Sequence, residues 1–102
     1  MKIEEKCRIY RAAVKKFGRV NQILKAIEEL AELQRALARD LPLDAPEAAE
    51  RNVCEEIADV EIMLSQLWLL YGSTEIDEWK ESKLERLARM VGVEIEKEGE
   101  DE

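Results

Sequence analysis

Apolar residues in this chain recur every three to four positions and almost never alternate, so the pattern predicts helices and no strand of useful length. Four helical segments follow from it. The first covers residues 3–17 and ends at Gly18, a residue that stops helices because it enters left-handed backbone freely. The second covers about 19–39, with Val20, Ile23, Leu24, Ile27, Leu30, Ala31 and Leu37 on a 3.6-residue period. Pro42 and Pro46 cannot sit inside a helix, and Asp44 is a fair N-cap for a third helix over about 46–71.

That third helix is the most apolar and stops at Gly72. Val53, Ile57, Val60, Leu64, Leu67 and Tyr71 line one face, while Ala58, Ile62 and Leu69 line another. A helix apolar on two faces is usually buried between neighbours, and in so short a chain the second face is expected to be a subunit interface. "GSTEIDEW" reads as a turn leading into the fourth helix, with Ser73 or Thr74 as caps; Ile76, Trp79, Leu84, Leu87 and Met90 follow, and the helix stops near Gly92. The expected fold class is all-α: a small four-helix bundle over residues 1–93, completed by oligomerisation, with an acidic, flexible tail at 94–102.

Charge changes the picture. A net charge of −8 argues against a nucleic acid polymer as partner, since phosphate backbones need a basic surface. The longest apolar run, "LWLLY" at 67–71, is far short of the ~20 residues a membrane span needs, so no membrane is expected. Acids sit where a signal peptide would be apolar, which gives a cytoplasmic expectation. Cys7 and Cys54 form no metal-spaced pair and read as helix-packing residues. With no histidine in the chain, histidine general-base chemistry and most zinc sites are excluded.

The acids are arranged rather than scattered. Glu29 and Glu32 stand three apart on the second helix, roughly opposite its apolar stripe; Glu56 and Asp59 stand three apart on the third, on a face shared with Met63 and Leu70. One such pair would read as a solvated face. Two pairs, on successive helices that a short loop should make antiparallel, read as one site, because carboxylates gathered between helices stay ionised only beside a cation. An all-oxygen donor set selects a hard ion, Mg²⁺ with Mn²⁺ as alternative.

"EELAE" followed by "EEIAD", with 23 residues between Glu32 and Glu56, resembles the ExxE…ExxD signature of the MazG-like all-α nucleoside triphosphate pyrophosphohydrolases. The flanks "QILKAIEELAELQRAL" and "CEEIADVEIMLSQL", and the later "EWKESKLERL", are similar to the small, single-domain, phage-type members, so the likeness spans roughly residues 10–90. The resemblance implies that Glu29, Glu32, Glu56 and Asp59 are Mg²⁺ ligands, that an NTP or dNTP, non-canonical ones included, is hydrolysed to monophosphate and pyrophosphate, and that the chain forms a homodimer or homotetramer.

The chemistry this implies is in-line attack by water at the α-phosphorus, with a carboxylate completing its deprotonation. Glu28 and Glu55 are the adjacent candidates for that base, and Glu61 reads as solvent-facing. Lys25, Lys80, Lys83 and Arg86 are candidates for the distal phosphates; Lys83 is favoured because its segment resembles the family's phosphate-contacting region. Asn21, Gln22 and Asn52 can read a base edge, and Trp68, Trp79 or Phe17 can stack on it. The alternative function is a non-catalytic helical oligomerisation or nucleotide-binding adaptor module.

Overall fold

Three glycines with positive φ punctuate the chain, and helices fill almost everything between them. A computed structural model describes residues 1–96, within which the helices are α1 (Ile3–Phe17), α2 (Arg19–Asp40), α3 (Glu47–Tyr71) and α4 (Ser73–Val91). No strand occurs among the described residues, and none of their helices is long and apolar enough to cross a membrane. The tail expected at 94–102 is non-helical and exposed at 94–96, and its remainder lies outside the described residues.

Gly18 explains the tightest turn. Its N–H closes the last turn of α1 on the Val14 carbonyl at 2.9 Å, and its own carbonyl accepts from Gln22 N–H at 3.1 Å to open α2. One residue therefore ends one helix and starts the next, at φ 87°, where a side chain is strained. Gly92 (φ 75°) closes α4 with the paired bonds of a Schellman ending: Val93 N–H to Ala88 O at 2.8 Å and Gly92 N–H to Arg89 O at 3.4 Å.

Two expected caps fall elsewhere. Asp44 lies in the turn closed by Ala45 N–H to the Pro42 carbonyl, and α3 begins three residues later, at Glu47. Ser73 is already helical; the N-cap of α4 is Gly72, which has no side chain to offer.

The chain divides into two units, Met1–Tyr71 and Gly72–Glu102. In the first, α2 and α3 form the main seam and α1 packs on both. α1 turns Cys7, Tyr10 and Val14 inward, all half-buried, and borders a groove whose α3 wall is Ala58, Glu61, Ile62 and Ser65. The second unit, within its described residues, is α4 and the few residues after it.

The seam buries Gln22, Ala26, Glu29 and Ala36 from α2 against Val53, Val60, Met63 and Gln66 from α3. These recur at spacings of three, four and seven, as in antiparallel helices packed at a shallow angle. The apolar stripe that the 3.6-residue period marks on α2 is mostly not in this seam. Val20, Leu24, Ile27, Leu30, Ala31 and Leu37 are exposed, Leu24 and Ile27 at 57% and 59%, and Ile23 is half-buried. On α3 the buried face is rotated toward Met63: Val53 and Val60 are buried and Leu67 half-buried, but Ile57, Leu64 and Tyr71 are exposed. Cys54 is exposed as well, so only Cys7 packs inside this chain. Periodicity finds an apolar stripe correctly but says nothing of what covers it.

Candidate metal centre

The i, i+3 acids occupy the middle of that seam. Advancing along α2 from Gln22 to Glu29 meets α3 in reverse, from Gln66 to Asp59 and Glu56, so the two helices are antiparallel. Glu29 is the most enclosed acid, 6% exposed, and its ligand oxygen lies within 4.8 Å of those of Glu56 and Asp59, which are half-buried. A second group, Glu28, Glu29 and Glu32, meets the same distance limit, so Glu29 belongs to both.

One oxygen each of Glu29 and Glu56, Oε2 in both, is buried without a hydrogen-bond partner among the described residues. An unsatisfied buried carboxylate oxygen is costly, and here two belong to acids of one cluster of like charge. The Glu56 carboxyl responds: desolvation raises its pKa above the usual carboxylate value, and the charges of Glu32, Asp59, Glu29 and Glu55 raise it further.

One cation of the first unit, Lys25, reaches the nest. Lys25 Nζ lies 3.1 Å from Glu29 Oε1 and 3.8 Å from Glu28 Oε1. The hydrogen bond to Glu29, with the charges of Glu28 and Glu29, raises the Lys25 pKa, so the ammonium stays charged. Lys25 satisfies one oxygen of Glu29 from the solvent rim and leaves the buried one open.

Of the four acids expected as ligands, Glu29, Glu56 and Asp59 therefore form one group, and Glu32 meets Glu29 in the other. Glu28 joins them at the exposed rim, whereas Glu55 is exposed and enters neither ligand group, acting on Glu56 only as a nearby charge. Glu61 is exposed, as expected. Lys80, Lys83 and Arg86 lie on α4, in the second unit, where the Lys83 ammonium stands 5.9 Å from the centroid of the exposed Trp79 ring. Trp68 is half-buried and Phe17 exposed, with Lys16 over its ring at 5.7 Å.

Of the three carboxamides expected to read a base, Asn52 is half-buried on α3, and Asn21 and Gln22 bond within the chain. Asn21 Nδ2 donates to the Phe17 carbonyl at 2.8 Å, satisfying an end group of α1. Gln22 Nε2 donates to Gln66 Oε1 at 2.6 Å, with both residues buried. Gln66 escaped the sequence reading, although a glutamine two turns past Asp59 in the most apolar helix was a visible signal. Arg19 escaped it too: it donates to the Leu70 carbonyl at 3.0 Å and lies 4.6 Å over the Tyr71 ring, finishing the C-terminus of α3.

Compared with known proteins, the chain matches no family model, no curated protein and no solved structure.

Proposed function

We propose that this chain is a Mg²⁺-dependent nucleoside triphosphate pyrophosphohydrolase of the MazG-like type, acting as a homo-oligomer. The observation that carries the reading is the pair of unpartnered buried oxygens, Oε2 of Glu29 and Oε2 of Glu56, in a cluster with Asp59 whose ligand atoms lie within 4.8 Å. A solvated acidic face does not bury its carboxylates against each other. The donor set also fits a hard divalent ion: it is all oxygen, from residues on two helices.

Glu29, Glu56 and Asp59 would hold the ion, with Glu32 joining through the group it forms with Glu29 and Glu28. When bound, the ion supplies positive charge at the phosphoryl oxygens and makes an adjacent water more acidic. The protein's own groups do the rest. Glu28, exposed at the rim beside Glu29 and Glu32, accepts the proton of the water that attacks the α-phosphorus as the bond to pyrophosphate breaks. Lys25, held at the same rim, offsets charge on the phosphates. Lys80, Lys83 and Arg86, on α4 in the second unit, are proposed as phosphate-binding groups on their charge alone.

Self-association is supported separately, by the exposed stripe of α2. Stripes of this kind on a water-soluble helix mark contact surfaces. A purely non-catalytic oligomerisation module would account for the stripe but not for the open buried carboxylates. The test is pyrophosphate release from a panel of NTPs and dNTPs with Mg²⁺, which should be lost in Glu56→Gln. No release from any nucleotide by the wild-type protein would remove the enzyme reading.

A further inference from the structure

The Gln22–Gln66 bond is the other polar feature of the seam. Gln22 is 7% exposed and Gln66 4%, and the bond between them is 2.6 Å long. Gln66 also donates to the Ile62 carbonyl at 3.4 Å and lies 3.7 Å from Met63 Sδ. Gln22 precedes Glu29 by seven residues, and Gln66 follows Asp59 by seven. In antiparallel helices those equal offsets place the amide pair about two turns, ~10 Å, from the carboxylates on the same seam.

We infer that Gln22 and Gln66 are positioning residues that fix the register of α2 against α3, and so the convergence of Glu29, Glu56 and Asp59. The inference rests on the metal-centre reading above. Between the two polar levels α2 buries only Ala26, a small knob that resists sliding weakly. The carboxylate level by itself favours slippage, because its like charges repel. A one-turn slip moves one helix about 5.4 Å past the other, enough to part ligand oxygens that now lie within 4.8 Å. The same slip parts the buried Gln22 Nε2 donor from the Gln66 Oε1 acceptor, a strong penalty, whereas an apolar pair would repack. Buried polar pairs set register in helical assemblies in this way, at some cost in stability.

The double variant Gln22→Leu/Gln66→Leu tests this in the full chain. Its Tm should equal or exceed that of wild type, since both amides leave together. Its affinity for Mn²⁺ alone, measured by calorimetry, should nonetheless fall at least tenfold. In the metal-free protein, the amide resonances of Glu29, Glu56 and Asp59 should broaden or double. Gln22→Met/Gln66→Met serves if the leucine pair aggregates. Wild-type Mn²⁺ affinity with single, sharp resonances in the double variant would overturn the inference. If wild-type protein itself binds no Mn²⁺, the metal reading fails, and the resonances alone then decide for or against the register role.

Discussion

The two faces of α2 invert the usual arrangement. The face turned toward α3 buries Gln22, Ala26, Glu29 and Ala36, which are polar or small; the face carrying Val20, Leu24, Ile27, Leu30 and Leu37 is open. A helix that met only its own chain would bury the large apolar face, since each such side chain contributes roughly 1.5–3 kcal/mol when removed from water. The polar face occupies the intrachain seam because it carries the proposed site, and two helices are needed to bring four carboxylates together. The apolar face is open within the first unit, and the proposed self-association would cover it. Within one chain, no large side chain is fully buried among the described residues, which fits a core that is finished elsewhere.

The sharpest break of that contrast is to charge the open face. Leu24→Asp/Ile27→Asp should convert an oligomer into a species near the chain mass of 11.8 kDa, read by analytical ultracentrifugation. It should also lower Tm and remove its dependence on protein concentration, because assembly stabilises by mass action. A wild-type protein that sediments as a monomer at micromolar concentration would end the explanation offered for the inversion.

How far sequence reached follows the same division. Helix limits were legible because Gly18, Pro42, Pro46, Gly72 and Gly92 act locally on backbone geometry. The acid cluster was legible because an i, i+3 pair defines one face of a helix, and two pairs on antiparallel neighbours can meet. The burial of α2 was not, since periodicity is blind to whether a stripe is covered by its own chain or another. Gln66 stood out in its apolar helix, but its pairing with Gln22 was illegible for a related reason. It spans 44 residues and depends on the register between helices, which no single-helix pattern encodes.

A second, smaller effect probes the buried face by pH. Glu56 has a raised pKa, so the folded protein binds a proton more tightly than the unfolded chain does. The linked stability is fully present below the ordinary carboxylate pKa and is lost as pH rises through the raised value. Metal-free protein should therefore melt higher when neutral solution is acidified toward the carboxylate range, and Glu56→Gln should flatten that part of the profile. At neutral pH the same variant should raise the metal-free Tm by roughly a few degrees. Adding Mg²⁺ or Mn²⁺ should raise the wild-type Tm, and Glu29→Gln or Asp59→Asn should lose that response. A metal response that survives in Glu29→Gln would take the central acid out of the site.

The smallest effect concerns the rim, where the two faces of α2 adjoin. Lys25 bonds Glu29 from solvent, so it contributes little stability: exposed ion pairs are screened by water, and the partner's burial does not exempt the lysine's water-exposed end. Lys25→Met keeps the aliphatic stem and removes the charge, and should shift Tm by no more than about a degree. Its larger consequence should be functional. If Lys25 offsets phosphate charge, KM for the triphosphate should rise several-fold with kcat little changed, since a contact made equally in the ground and transition states appears in KM. If Lys25 only neutralises Glu29 in the metal-free protein, its removal should leave KM unchanged and instead tighten Mn²⁺ binding, because a competing cation has been deleted. The two roles thus move different measurements, and titrating Mn²⁺ with and without substrate separates them.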